Sequence, residues 1–156
     1  MALTTESAGR VRQKVREAVK SPAIYGALKN LFLYLSIYKK GVDLAFLPFT
    51  GTSADDATGQ VLVDAACTLY AVYSQKTATA TDAYLVIFDD ATDDAGAGTD
   101  GRVVLPHLVA SDEAFAIFPQ GLAMAAGVVA KSYTDFDGVT DTSAGDAPNG
   151  FVIVSA

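Results

Sequence analysis

A chain of 156 residues with one cysteine and one histidine is long enough for one compact domain with an appendage, and it excludes an intrachain disulfide and a Cys/His metal cluster. With 51% hydrophobic and only 19% charged residues, it lies outside the disordered class. The net charge of -7 conceals a basic segment, residues 1–40 with eight Lys/Arg against two Glu, ahead of an acidic one, residues 41–156 with three Lys/Arg against sixteen acids.

After Thr4 and Thr5, Val11, Val15 and Ala18 recur at helical spacing while Arg10, Arg12, Lys14, Arg16 and Lys20 occupy the other faces. This pattern predicts a basic amphipathic helix. Its cations point to electrostatic docking on an acidic protein surface. Nucleic acid is disfavoured, because no aromatic residue interleaves residues 10–20 to stack on bases. Ser21 followed by Pro22 reads as an N-cap and first helical position, so a second helix restarts there after a bend.

In that second helix Ile24, Leu28, Leu31, Leu35 and Tyr38 follow a four-three spacing, with Phe32, Leu33, Tyr34 and Ile37 broadening the apolar surface. Two heptads are too short to stand alone as a coiled coil. The expectation is therefore an oligomer or shell interface built on Ile24, Leu28, Leu31, Phe32, Leu35 and Tyr38, with Gly41 ending the helix. The run Leu31 to Tyr38 is too short to span a bilayer, and Lys39 and Lys40 follow it where a signal peptide needs small residues. The chain is expected to be soluble and uncleaved.

From Val42 onward, short apolar runs alternate with Gly, Asp, Thr, Ser and Pro clusters, the pattern of an all-β domain. The expected strands are Val42 to Phe49, Gln60 to Val63, Thr68 to Ser74, Ala83 to Phe88, Arg102 to Pro106, Ala114 to Phe118, Val128 to Tyr133 and Phe151 to Val154. Eight short strands predict an antiparallel β-sandwich over residues 41–156, preceded by a helical arm over residues 1–40. Tyr84, Val86 and Phe88 alternate with Ala83, Leu85 and Ile87, so both faces of that strand are apolar and it belongs in the middle of a sheet or under a subunit contact. Polar acidic loops are expected at Thr50 to Thr58, Asp89 to Gly101 and Asp135 to Asn149.

Catalytic chemistry finds little support. His107 lacks a second His or a nearby Cys, and is read as structural and unable to form a zinc site or nucleophile pair. Cys67 has no basic neighbour and reads as a small buried hydrophobe. The aspartates at 89, 90, 93, 94 and 100, and at 135, 137 and 141, raise the question of calcium, but EF-hand spacing is absent and solvated turns are the preferred reading. No phosphate-binding glycine motif occurs, and no cofactor is expected.

The stretch Thr68 to Ala91, TLYAVYSQKTATATDAYLVIFDDA, resembles a recurrent bacteriophage virion β-module. That module pairs a strand of the type xLYxxxVxN with one of the type YLxLYDxA across a small-residue turn. The likeness continues through the Gly/Thr/Asp loop at Ala95 to Gly101, the Pro-containing strand at Val103 to Leu108, the FPxGLA segment at Phe118 to Ala123 and the terminal FVIV strand, covering roughly Gly59 to Ala156. Its specificity lies in the order of the pieces. The resemblance implies a jelly-roll-like sandwich, commonly a homotrimer, acting without catalysis as a capsid decoration (cement) protein on the major capsid protein of the virion. A head-fibre or tail component, or a carbohydrate-binding module using Tyr70, Tyr73 or Tyr84, are the alternatives. The helical arm departs from the simplest form of that pattern.

Overall fold

The computed structural model describes residues 3–39, 42–50, 59–76, 82–92, 101–108, 112–133 and 148–156, with the backbone alone at 101 and 102. Among the described residues two helices, α1 (Ala8–Ala18) and α2 (Pro22–Tyr38), precede eight strands. These are β1 (Ala45–Phe49), β2 (Gln60–Val63), β3 (Cys67–Gln75), β4 (Ala83–Phe88), β5 (Gly101–His107), β6 (Glu113–Met124), β7 (Val128–Tyr133) and β8 (Asn149–Ser155). Strands β2, β4 and β7 coincide with the sequence expectation, and β6 runs well past it. The long acidic loops fall for the most part outside the described residues.

The strands form two antiparallel four-stranded sheets, ordered β1-β8-β3-β6 and β2-β7-β4-β5. First pairs with last, second with seventh, third with sixth and fourth with fifth. This nesting, a long hairpin folded over on itself, is the double Greek key of a jelly roll. Each of the three strand prolines lies on a strand with one paired neighbour: Pro48 on β1, Pro106 on β5 and Pro119 on β6. A proline cannot donate to a ladder and is tolerated where one side is unpaired. That tolerance is why β6 continues through a segment whose Pro and Gly read as an end. Leu69 pairs with Leu122 but Ala71 with Ile117, so β6 bulges between them, and Gly121 takes a φ of 84° in the bulge.

Alternation divides the side chains between two cores. Leu69, Val72, Leu85, Ile87, Val128, Ala130, Val152 and Val154 fill the space between the sheets. Against β8 the extra residue lies in β3, since Leu69 pairs with Val154 and Ala71 with Ile153, and this leaves Tyr70, Ala71 and Tyr73 facing outward together beside Phe151 and Ile153. An apolar outer face must be covered, and the helices cover it. Val11, Val15 and Val19 of the first helical segment and Leu28, Leu31, Phe32 and Leu35 of α2 are buried against it.

The apolar seam of α2 is thus occupied within its own chain. Leu28, Leu31, Phe32 and Leu35, expected as an interface between chains, pack on α1 and on the sheet. Ile24 is half-buried in the same cluster, and Tyr38 alone of the six is exposed. Ser21 caps α2 by accepting a hydrogen bond from the Ile24 amide, with Pro22 in the first turn. The bend between the helices is fastened by Glu113, whose Oε1 accepts from the Lys20 amide at 3.2 Å and from the Tyr73 hydroxyl at 2.6 Å. At the other end, the Glu6 and Leu44 backbones exchange two hydrogen bonds, tying the start of α1 to the approach to β1.

Candidate docking surface

With the seam buried, the surface the helices present is set by what faces away from the sheet. On α1, burial of Val11 and Val15 turns Arg10, Arg12, Lys14 and Arg16 outward, and Lys20 is exposed at the bend. These five do not stay equivalent. Lys14 forms an ion pair with Glu6 at 2.7 Å and lies over the Phe46 ring, so it fastens the helix to the sandwich. Glu17 accepts a hydrogen bond from Gln13 one turn earlier. Arg12 and Arg16 line one shallow depression with Tyr25. Arg12 also lines a second, with Lys29, Asn30 and Leu33 of α2.

Beside this cationic strip α2 leaves apolar side chains in solvent: Leu33 at 58%, Ile37 at 52% and Tyr38 at 71% exposure. Tyr34 stacks at a tilt on Tyr38, 4.9 Å between centroids, and its hydroxyl accepts from the Gln120 side-chain amide. Lys39 Nζ donates to the Gln120 carbonyl at 2.7 Å, holding the end of α2 on β6. Cations and exposed aliphatics therefore share one face, the arrangement that suits an acidic protein surface with an apolar centre. Sequence reading placed Leu33 and Ile37 on the broadened apolar surface of α2 without joining them to the basic face, and it missed Lys29, whose position off the four-three spacing was the available signal.

A second polar group lies between the sheets. Val72 and Ser74 follow one another along the inward side of β3, with Lys76 just past its end, and His107 follows Val103 and Leu105 on the inward side of β5. Ser74 Oγ and His107 Nε2 are 2.7 Å apart, and the exposure of Ser74, Lys76 and His107 is 0%. The expectation that His107 lacks a nucleophile partner is corrected by this pair, although burial denies both atoms to a substrate in this arrangement. Burial holds the imidazole below its ordinary value of 6.5, and the Lys76 charge adds to this. The Asp112 carboxylate and backbone act in the opposite direction. The Lys76 amide donates to the Asp112 carbonyl at 2.9 Å.

The remaining sequence candidates are accounted for individually. Asp89 accepts from the amides of Ala125, Ala126 and Gly127, and Asp90 from Thr92, so both serve turns. The aspartates at 93, 94, 100, 135, 137 and 141 lie outside the described residues. Among the described residues no group of three metal-binding side chains occurs, and no helix is long and apolar enough to cross a membrane. Tyr70 and Tyr73, considered for a sugar-binding surface, are buried beneath the helices, and Tyr84 is half-buried. The chain matches no known protein-family model, and no curated protein or solved structure is significantly similar to it.

Proposed function

We propose that this protein is a non-enzymatic structural component of a bacteriophage virion, a capsid decoration (cement) protein that docks on the major capsid lattice through the exposed face of its helix pair. The observation that carries the reading is the joining of a jelly roll, an architecture used by viral capsid domains, to a basic helix pair whose outer face combines Arg12, Arg16 and Lys29 with exposed Leu33 and Ile37. The resemblance at residues 68–91 points the same way and supplies the homotrimer and the virion surface as its location.

The physical logic is a division of labour between the two charge regions. A net +6 over residues 1–40 steers the helices toward an acidic lattice, while the net -13 over residues 41–156 keeps the jelly roll outward and soluble. Burying the exposed aliphatics adds about 25 cal/mol per Å2 of apolar surface removed from water. Leu28, Leu31, Phe32 and Leu35 play no direct part in this contact, since the sheet already covers them.

The test uses the full chain and capsid shells lacking it. Reversing the charge in an Arg12→Glu/Arg16→Glu variant, or replacing Leu33 and Ile37 with Asp, should abolish co-sedimentation with shells while leaving the melting temperature unchanged. Binding at full occupancy by both variants would overturn the assignment.

A further inference from the structure

Lys76 presents an unusual problem of electrostatics. Its side chain is fully buried, yet Nζ has no hydrogen-bond partner. An ammonium removed from water without acceptors is among the costliest arrangements a protein can hold. Nδ1 of His107, equally buried, is likewise without a partner. The Asp112 backbone lies close enough to the imidazole to favour its charged form, and its carbonyl already accepts from the Lys76 amide. The cross-strand neighbours of Ser74 and His107 are Ala114, Gly150 and Ala83, which have no side-chain acceptor to offer.

The Ser74 contact sharpens the point. When its hydroxyl donates to Nε2, the imidazole proton resides on Nδ1. The three ammonium hydrogens and one imidazole hydrogen are then buried donors without a hydrogen-bond acceptor, and near enough to one another for the Lys76 charge to act on the imidazole. We infer that Lys76 and His107 form a binding site for a small monovalent anion of the halide class, with Ser74 as the positioning residue that selects the donor tautomer of His107. Full burial restricts the ligand to a small ion. The nearby Asp112 carboxylate disfavours a dianion such as phosphate. These residues are separate from those of the helix face, so the site stands or falls independently of the capsid reading.

Bromide is the probe. Unfolding of the full chain by urea would be measured in sodium bromide and in sodium gluconate, whose anion is too bulky to enter, at equal ionic strength, for the unmodified protein and for Lys76→Met. A saturable bromide-specific stabilisation is expected, the unfolding constant falling about 100-fold at a hundred times the dissociation constant, and the effect should vanish in Lys76→Met. Crystals grown in bromide should show an anomalous peak between Nζ and Nδ1, which decides the matter should the variant fail to fold. Equal stability in the two salts, an undiminished bromide effect in Lys76→Met, or a structure with water or the Asp112 carboxylate on Nζ in place of bromide would overturn the proposal.

Discussion

Cys67 begins β3 with its side chain in the inter-sheet core, and burial, reinforced by the negative charge of Asp89, pushes its thiol up to about 11. At pH 8 roughly one thiol in a thousand is then ionised, and the thiolate is the reactive species. Native protein should therefore resist iodoacetamide, with Cys67 alkylated at the rate of unfolding; rapid stoichiometric labelling would contradict this. His107 makes the opposite kind of statement, about pH. Its folded form is held below the ordinary 6.5, so an unfolded chain takes up a proton near 6.5 that the folded chain refuses. Stability is full above that pH and declines as pH falls below it, with a slope approaching about 1.4 kcal/mol per pH unit until the folded value is reached. Urea midpoints taken from pH 7.5 to 5.5 in gluconate should show the decline, and His107→Gln should remove it; the same slope in that variant would assign the effect elsewhere. The placement of these two residues was partly legible. A lone cysteine without a basic neighbour reads as buried, whereas the pairing of Ser74 with His107 joins two sheets through a register that local sequence does not specify.

At the level of the elements, the four-three spacing of α2 marks a stripe that is buried at Leu28, Leu31 and Leu35 but not at Tyr38, and it says nothing about what buries it. Leu28, Leu31, Phe32 and Leu35 meet Tyr70, Tyr73, Phe151 and Ile153, residues brought together from strands β3 and β8, which lie far apart in sequence and pair only through the fold. A signal for this was present, because β3 is apolar on both faces, and a two-faced sheet needs a layer on each side. Strand limits were legible where polar residues bound the apolar run, as at β4 and β7, and were misjudged at β6, where an edge position accommodates Pro119 and Gly121. The intramolecular seam carries its own prediction. Leu31→Ala should destabilise the chain by about 2 to 5 kcal/mol, with a urea midpoint independent of protein concentration. A cost that appears only in an assembled oligomer would restore the seam to an intersubunit role. For the same reason, deleting residues 1–40 uncovers an aromatic sheet face, so the isolated sandwich should aggregate.

The jelly roll as a whole depends on nested pairs, and its outermost pair joins β1 to β8. β8 is also the strand between β1 and β3, supplying Val152 and Val154 to one core and Phe151 and Ile153 to the other. A chain ending at residue 148 should consequently lose native structure altogether, seen as loss of the cooperative thermal transition by circular dichroism; a cooperative melt in that variant would show that seven strands suffice. The central position of β8 also has a temporal side. A ribosome delivers β8 long after α2, so the greasy stripe of the helix emerges before the sheet that receives it is complete. At 5–20 residues per second the interval is on the order of ten seconds. During that time the nascent protein must keep from sticking to its neighbours, and the positive charges on α1 and the abundant aspartates that follow confer solubility on a chain that has nowhere yet to fold.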